Sequence, residues 1–311
     1  RWTWRRAVLQ WSAMTDDRPG PLPTPPQRVS AIPFPPRYEL PARPADASPQ
    51  VQDAYRQTQF SLGPDLRLFD EGMNLQLAIL VASSGSHYRT HPYAALVSLW
   101  SRTFSAVADA LLLTTRGSYG SALPLVRTAC ECLAAQRQLY AQEMDLYREW
   151  LLTSLRPHEG FKAFEVGLGH YFAGETLAAD ERLRSVYRPA ADLARPNFGA
   201  TTLLTGPESN NLRLAYAFDD HAFHLGWAEI VTGWLLALCE RQLHTAVHAT
   251  DLFHAPAETH EAYTDFARRV DERLSDPARA RIEEVTEGNF KRYLAHNFRR
   301  APGSAPRKAL L

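Results

Sequence analysis

Apolar and polar residues alternate at helical spacing along most of this chain. VQDAYRQTQF, from Val51, is a short candidate helix, and Leu66 to Val81 is a second. Gly63-Pro64 lies between them, and Gly72 weakens the second. Residues 91–115 predict a long helix whose stripe is Leu96, Leu99, Trp100, Phe104, Val107 and Leu111. Arg116-Gly117 closes it, with Gly117 suited to a left-handed cap. The next helix runs from Tyr119 to Tyr140, and Pro124 is tolerable only in or near the first turn. Shorter helices follow at about 142–155, 158–172 and 175–194, the last stopped by Arg195-Pro196. At 201–218 the period changes to two: Leu212, Leu214, Tyr216 and Phe218 alternate after the turn-rich GPESNN, which predicts a small β-hairpin. Asp219 or Asp220 then caps a strongly apolar helix running to about Thr250. Two polar helices, about 257–274 and 277–296, pack outside it. The expected class is all-α, a multi-helix bundle with one small β-hairpin inserted near 201–218. A single domain spans 51–297, with its core at about 69–252 and outer helices at 257–296.

Composition narrows the function classes. The 311 residues carry no net formal charge and are 45% hydrophobic, enough for a sizeable core. A neutral balance argues against tight non-specific nucleic-acid binding while leaving room for a local basic patch. The three cysteines are too few for a disulfide framework, so a reducing cytoplasm is expected. Cys130 and Cys132, two apart on a helix, point about 200° apart and make no metal half-site. Prolines concentrate in residues 15–50, so 1–50 is expected as a disordered tail, with Met14 as the start and no signal peptide. Residues 298–311 read as a flexible basic tail. The longest weakly charged stretch, Phe223 to Cys239, holds Glu229 and falls short of the roughly 20 residues a membrane span needs. No membrane partner is expected.

Candidate chemistry begins at RTACECLAAQ, residues 127–136, where Arg127 and Glu131 sit in a helix that is apolar nearly all round. Their i,i+4 order, base before acid, is the weaker one for local helix support, so another purpose is expected. Folding the chain back at Gly117-Ser118 brings Asp109 toward Arg127 and Arg102 toward Glu131. The expectation is a four-charge cluster between two core helices, either a structural clamp or the lining of a pocket. Among the late histidines, His244 and His248 share a helix face and could form half a zinc site, but no acid or cysteine completes the spacing. The simpler reading is a helix C-terminus that favours such residues, and no metal or cofactor is expected. Glu229 reads as an acid on a solvated face or against the outer helices. GLGH at 167–170 lacks a phosphate-loop pattern, and GSYGS at 117–121 is not a nucleophile elbow, since no strand precedes it.

The segment RGSYGSALPLVRTACECLAAQRQLY resembles an uncharacterised bacterial family of all-helical proteins with an R-x-x-x-E core helix. That family distantly resembles the HEPN (higher eukaryotes and prokaryotes nucleotide-binding) superfamily. AADLARPNFGATTLL, residues 190–204, matches a second family segment through Pro196-Asn197. Arg195 stands where the family has histidine, and alanine replaces its serine. The resemblance covers about Phe69 to Leu252 and implies a HEPN-like up-down bundle. It also implies nucleotide or RNA as ligand, a homodimer, and a bacterial stress or defence setting. Arginine stays protonated where histidine would exchange a proton, so a non-catalytic or degenerate module is favoured. Arg102, Asp109, Arg127 and Glu131 would form its polar core, with Arg195 and Asn197 at the rim. Two alternatives stand beside it. One is a metal-independent endoribonuclease of toxin or abortive-infection type, with Arg241 and His248 as its arginine-x6-histidine pair. The other is a structural partner-binding protein in which every named charge is a clamp.

Overall fold

A computed structural model of the chain describes residues 33–84, 91–143, 156–157, 164–165, 174–196, 198–206, 209, 212–287 and 290–310. Over these the fold is mostly helical, with eight α-helices and a small three-stranded antiparallel sheet. Helix α1, Pro49–Ser83, starts where the Ser48 hydroxyl accepts from the Val51 amide at 3.4 Å. The two helices expected on either side of Gly63-Pro64 are this one helix, bent at Leu62, whose φ of −117° leaves the helical range. Pro64 has no N–H to donate, yet Leu62, Leu66, Leu68 and Phe69 all bury, and that burial carries the helix through the kink.

Helices α2 (His91–Thr115) and α3 (Tyr119–Gln138) pair closely across Gly117, whose φ of +76° is the predicted left-handed turn. A π-helical turn, Leu139–Glu143, extends α3. The helices expected at 142–155 and 158–172 lie mostly outside the described residues; Arg156–Pro157 (β1) and Phe164–Glu165 (β2) are short antiparallel strands. The expected 175–194 helix divides into α4 (Gly174–Ala179) and α5 (Glu181–Leu193) because Asp180 caps α5 by accepting from the Leu183 amide at 2.8 Å. Helix α6, Phe198–Thr205, corrects the predicted hairpin: residues 201–205 are helical and supply no pairing strand. The alternating residues Leu212, Leu214, Tyr216 and Phe218 lie on an irregular, largely extended run and are exposed.

Helix α7, Leu225–His248, is buried on nearly every face and packs against α1, α2, α3 and α5. Neither Asp219 nor Asp220 caps it. His224 is the N-cap, and the Leu225 and Gly226 amides donate to the carbonyls of Arg300 and Arg299 at 3.0 and 2.9 Å. Helix α8, Ala257–Leu274, matches its prediction. The helix expected at about 277–296 is replaced by β3 (Arg281–Glu287) and β4 (Phe290–Phe298), paired from Arg281↔His296 to Glu287↔Phe290. The basic tail expected to be flexible carries β5, Arg307–Leu310, on the other edge of β4. Pairing on both edges fills the backbone bonds of much of β4, while Phe298 packs edge-on to Trp227 at 5.6 Å. That ring lies where a Cβ on Gly226 would stand 2.7 Å away. Of the proline-rich segment, residues 33–48 carry no helix or strand, but buried Tyr38 pins them, edge-on to Phe69 at 5.7 Å and Phe104 at 6.0 Å. Among the described residues one helical stretch, Tyr93–Thr115, has the length and composition to cross a membrane, and its Tyr93, Leu96, Trp100 and Val107 are buried in the core.

Candidate functional site

The charged residues singled out in the sequence do not converge. Arg127 Nε donates to Glu131 Oε1 at 3.0 Å, and the pair faces α5, where the Tyr187 hydroxyl reaches Glu131 at 3.4 Å. Burial, with Glu131 second, pushes the Tyr187 hydroxyl above its ordinary value. Arg127 is 37% exposed, so this pair edges the core instead of sitting inside it. Among the described residues Asp109 makes no ion pair with Arg127, nor Arg102 with Glu131. Both Arg102 and Asp109 are exposed. Asp109 is close enough to Tyr38 for its charge to raise that hydroxyl, and the four-charge cluster does not form. A shift of one residue along the hairpin suffices to separate such groups, because each helical residue turns the face by about 100°. Arg195 is exposed and lies 3.6 Å from Asp192. Asn197 lies outside the described residues.

A different set of charges gathers around a cavity of about 750 Å³ between α3, α5, α7 and α8. Its floor is Glu240, whose side chain is 2% exposed. Arg182 Nη1 donates to Glu240 at 2.8 Å, and Arg241 donates from Nε and Nη2, both at 2.7 Å. The Tyr263 hydroxyl adds a fourth donor at 3.2 Å. Burial alone would raise this carboxyl, but Arg241 and Arg182 outweigh it and hold Glu240 below the usual carboxylate range. The same balance acts on Asp180: burial raises it, and the Leu183 amide, Arg137 and Arg241 bring it lower. Arg137 pairs closely with Asp180, and Arg241 lies 3.5 Å from it. At the mouth, Arg182 also reaches Asp271, whose side chain is 59% exposed.

Chemically this is a cleft of mixed charge, Arg137, Arg182 and Arg241 against Asp180, Glu181, Glu240 and Asp271, with arginines in its wall, a fixed floor and a replaceable rim. Arg241 is spent on Glu240 and Asp180. Arg137 and Arg182, 25% and 30% exposed, keep part of their guanidinium toward the cavity. Planar arginines of this kind suit phosphate or carboxylate, bidentately. The predicted Arg241–His248 pair shares a face of α7, but His248 turns its Nδ1 to the His244 carbonyl at 2.8 Å. Its ring stacks on His244 at 4.1 Å. Burial, then the Arg241 charge, lowers His244 to about 4, so it is neutral at pH 7. Among the described residues no group of three or more histidine, cysteine, aspartate or glutamate side chains can hold a metal, so His244 and His248 complete no zinc site.

Sequence reasoning missed Arg137, Asp180, Arg182, Tyr263 and Asp271. Only Asp180 had a local signal, an aspartate ahead of a helical run. Glu229, expected against outer elements, does face them: its Oε2 accepts from the Ala280 amide at 2.9 Å, and Arg299 lies 3.3 Å from its Oε1. Comparison with protein-family models, with curated proteins and with solved structures finds no match for this chain.

Proposed function

We propose that this chain is a HEPN-like helical module whose arginine-walled cleft binds, without cleaving, the phosphate groups of a nucleotide or RNA. The observation that carries the reading is the position of Arg137 and Arg182, both at the wall of a cavity of about 750 Å³. The Arg182–Asp271 pair is the exchangeable one. A surface ion pair is worth about 0–1 kcal/mol, so an incoming phosphate can take the place of Asp271 on Arg182 at small cost. Glu240 and Arg241 stay in place and hold the site open. Binding is favoured over cleavage because Arg241 is committed to two carboxylates and His248 is turned to a carbonyl. The resemblance to HEPN proteins supplies the setting, a cytoplasmic stress or defence system.

Titration of ATP and of a short single-stranded RNA into the full chain, at two salt concentrations, tests this. Arg182→Ala and Arg137→Ala should each weaken binding about tenfold or more, the worth of one charge-assisted contact of roughly 1.5–3 kcal/mol. Asp271→Asn should tighten it, since the competing carboxylate is gone. Affinity should fall as salt rises. No binding at millimolar ligand, or binding indifferent to all three variants, rejects the reading. RNA cleavage in EDTA that is lost in a folded His248→Ala variant would put an endoribonuclease in its place.

A further inference from the structure

A second cavity, of about 300 Å³, lies at the start of α3 beside the loop that leads into α7. Ser118 is the N-cap residue of α3, yet its hydroxyl caps nothing. It is bonded instead to His221 Nδ1 at 2.9 Å, and His221 Nε2 lies 3.1 Å from Asp219 Oδ1. Serine, imidazole and carboxylate thus stand in one line across residues more than 100 positions apart. The arrangement is held in place from several sides. Gly117 must be glycine here, because a Cβ would sit 2.1 Å from the His221 carbonyl oxygen. Asp219, whose side chain is 78% exposed, adopts a left-handed φ of 53°, a conformation that aspartate tolerates better than most residues. Asp220 accepts from the Ala222 amide and from Gln50, both at 2.8 Å, which ties the loop to α1.

The walls suit a reaction. The first-turn amides of α3, at Tyr119, Gly120 and Ser121, have no intrahelical acceptor, and all three residues line the cavity. Leu204, Ala217 and Trp227 close it with apolar surface. His224 also lines it, is 2% exposed, and has neither ring nitrogen bonded. A buried imidazole with two unmet nitrogens points to a group from outside the chain.

We propose that Ser118, His221 and Asp219 form a nucleophilic site that hydrolyses short-chain carboxylic esters. Asp219 accepts from Nε2–H and so fixes the tautomer whose Nδ1 can take a proton; it is a positioning residue. Ser118 Oγ attacks the ester carbonyl carbon and passes its proton to His221 Nδ1. The α3 amides receive the developing oxyanion. The C–O bond to the alcohol breaks, and the alkoxide leaves with the proton from His221. Water then attacks the acyl-serine, giving its proton to His221, and Ser118 departs reprotonated as the carboxylic acid is released. The small cavity limits the acyl group to a short chain. The imidazole is turned the other way round from the serine-protease triad, with Nδ1 on the serine and Nε2 on the carboxylate, and the roles are the same. The cavity is separate from the arginine-walled cleft, and the two readings stand or fall independently.

The test is reaction of the full chain with a fluorophosphonate probe and with p-nitrophenyl acetate and p-nitrophenyl octanoate, followed by peptide mapping. The expected result is a label on Ser118, acetate hydrolysed faster than octanoate, and both label and turnover lost in Ser118→Ala. His221→Ala should lower turnover about 10²-fold or more. His221→Gln, which fills similar space, serves if the alanine variant melts early. Asp219→Asn keeps a residue that tolerates the left-handed backbone; it should lower kcat and leave KM unchanged. A probe that labels no Ser118, labels it equally without His221, or turnover that survives in Ser118→Ala, overturns the proposal and leaves the bond as a loop tether.

Discussion

Two carboxylates, Asp65 and Glu240, anchor the two main arginine networks of this protein, and both are almost fully buried. Asp65 receives Arg273 Nη2 at 2.7 Å and Arg279 Nη1 at 2.8 Å. Arg279 is itself 6% exposed, and its Nη2 also donates to the Glu229 carbonyl at 2.7 Å and the Thr232 hydroxyl at 3.0 Å. That network joins α1, α7, α8 and the approach to β3, and protein covers its central arginine. Around Glu240 the chemistry is the same, but the outer edges of Arg137 and Arg182 face a cavity. Burial of the acid therefore does not separate a clamp from a site. What separates them is whether the exposed arginine edges line a cavity, as those of Arg137 and Arg182 do, since Arg273 of the Asp65 network is 36% exposed and lies outside that cavity.

The largest expected effect lies in the covered network. Asp65→Asn leaves Arg279 buried beside a neutral amide, and removing one partner of a buried pair costs about 3–5 kcal/mol. Urea unfolding would show it; a loss under about 1 kcal/mol would mean that Arg279 is satisfied by Glu229 and Thr232 alone. Glu240→Gln should cost less, about 1–3 kcal/mol, since Arg241 keeps Asp180 and Arg182 keeps Asp271. Equal losses at both positions would erase the distinction drawn between the networks.

Acid adds a third test. Burial, then Arg300, lowers His224 to about 3, and burial, then Arg241, lowers His244 to about 4. Unfolded histidine titrates near 6.5, so between about pH 6.5 and pH 4 the unfolded chain binds protons that the folded chain refuses. Stability should fall as pH drops through that window. The double variant His224→Phe with His244→Gln should flatten the slope in urea unfolding measured at several pH values, and an unchanged slope would refute the assignment. The smallest effect belongs to the pair most conspicuous in the sequence. Arg127→Ala should cost less than about 1 kcal/mol, because the pair is partly exposed. A greater loss of thermal stability would restore the clamp expected from the sequence.

Helix periodicity was legible wherever apolar stripes repeat over several turns: α2, α3, α7 and α8 stand within a few residues of their expected places. The C-terminal sheet was not. RIEEVTE and FKRYLAHNF are rich in charged residues, several of which favour helix locally, and the two-residue Gly288-Asn289 hairpin signal between them went unread. The alternation in LRLAYAF had the opposite fault. It is a clear strand pattern, but strand pairing needs a second segment, and α6 took the residues that would have supplied it. For the site, Arg241 and His248 were legible as a spacing, and the spacing said nothing about their partners.

By itself the sequence determined the helical class, the left-handed turn at Gly117 and the central, all-round apolar helix, because these depend on backbone sterics and on burial patterns within one segment. Only the tertiary structure decided which charges meet. Glu240 collects donors from α5, α7 and α8, and Ser118 meets a histidine 103 positions away. Such contacts depend on how helices rotate and slide against one another, and no local pattern encodes that. A few tenths of a turn separate a salt bridge from two solvated side chains, which is why the cluster expected at Arg127 dissolved while one formed at Glu240.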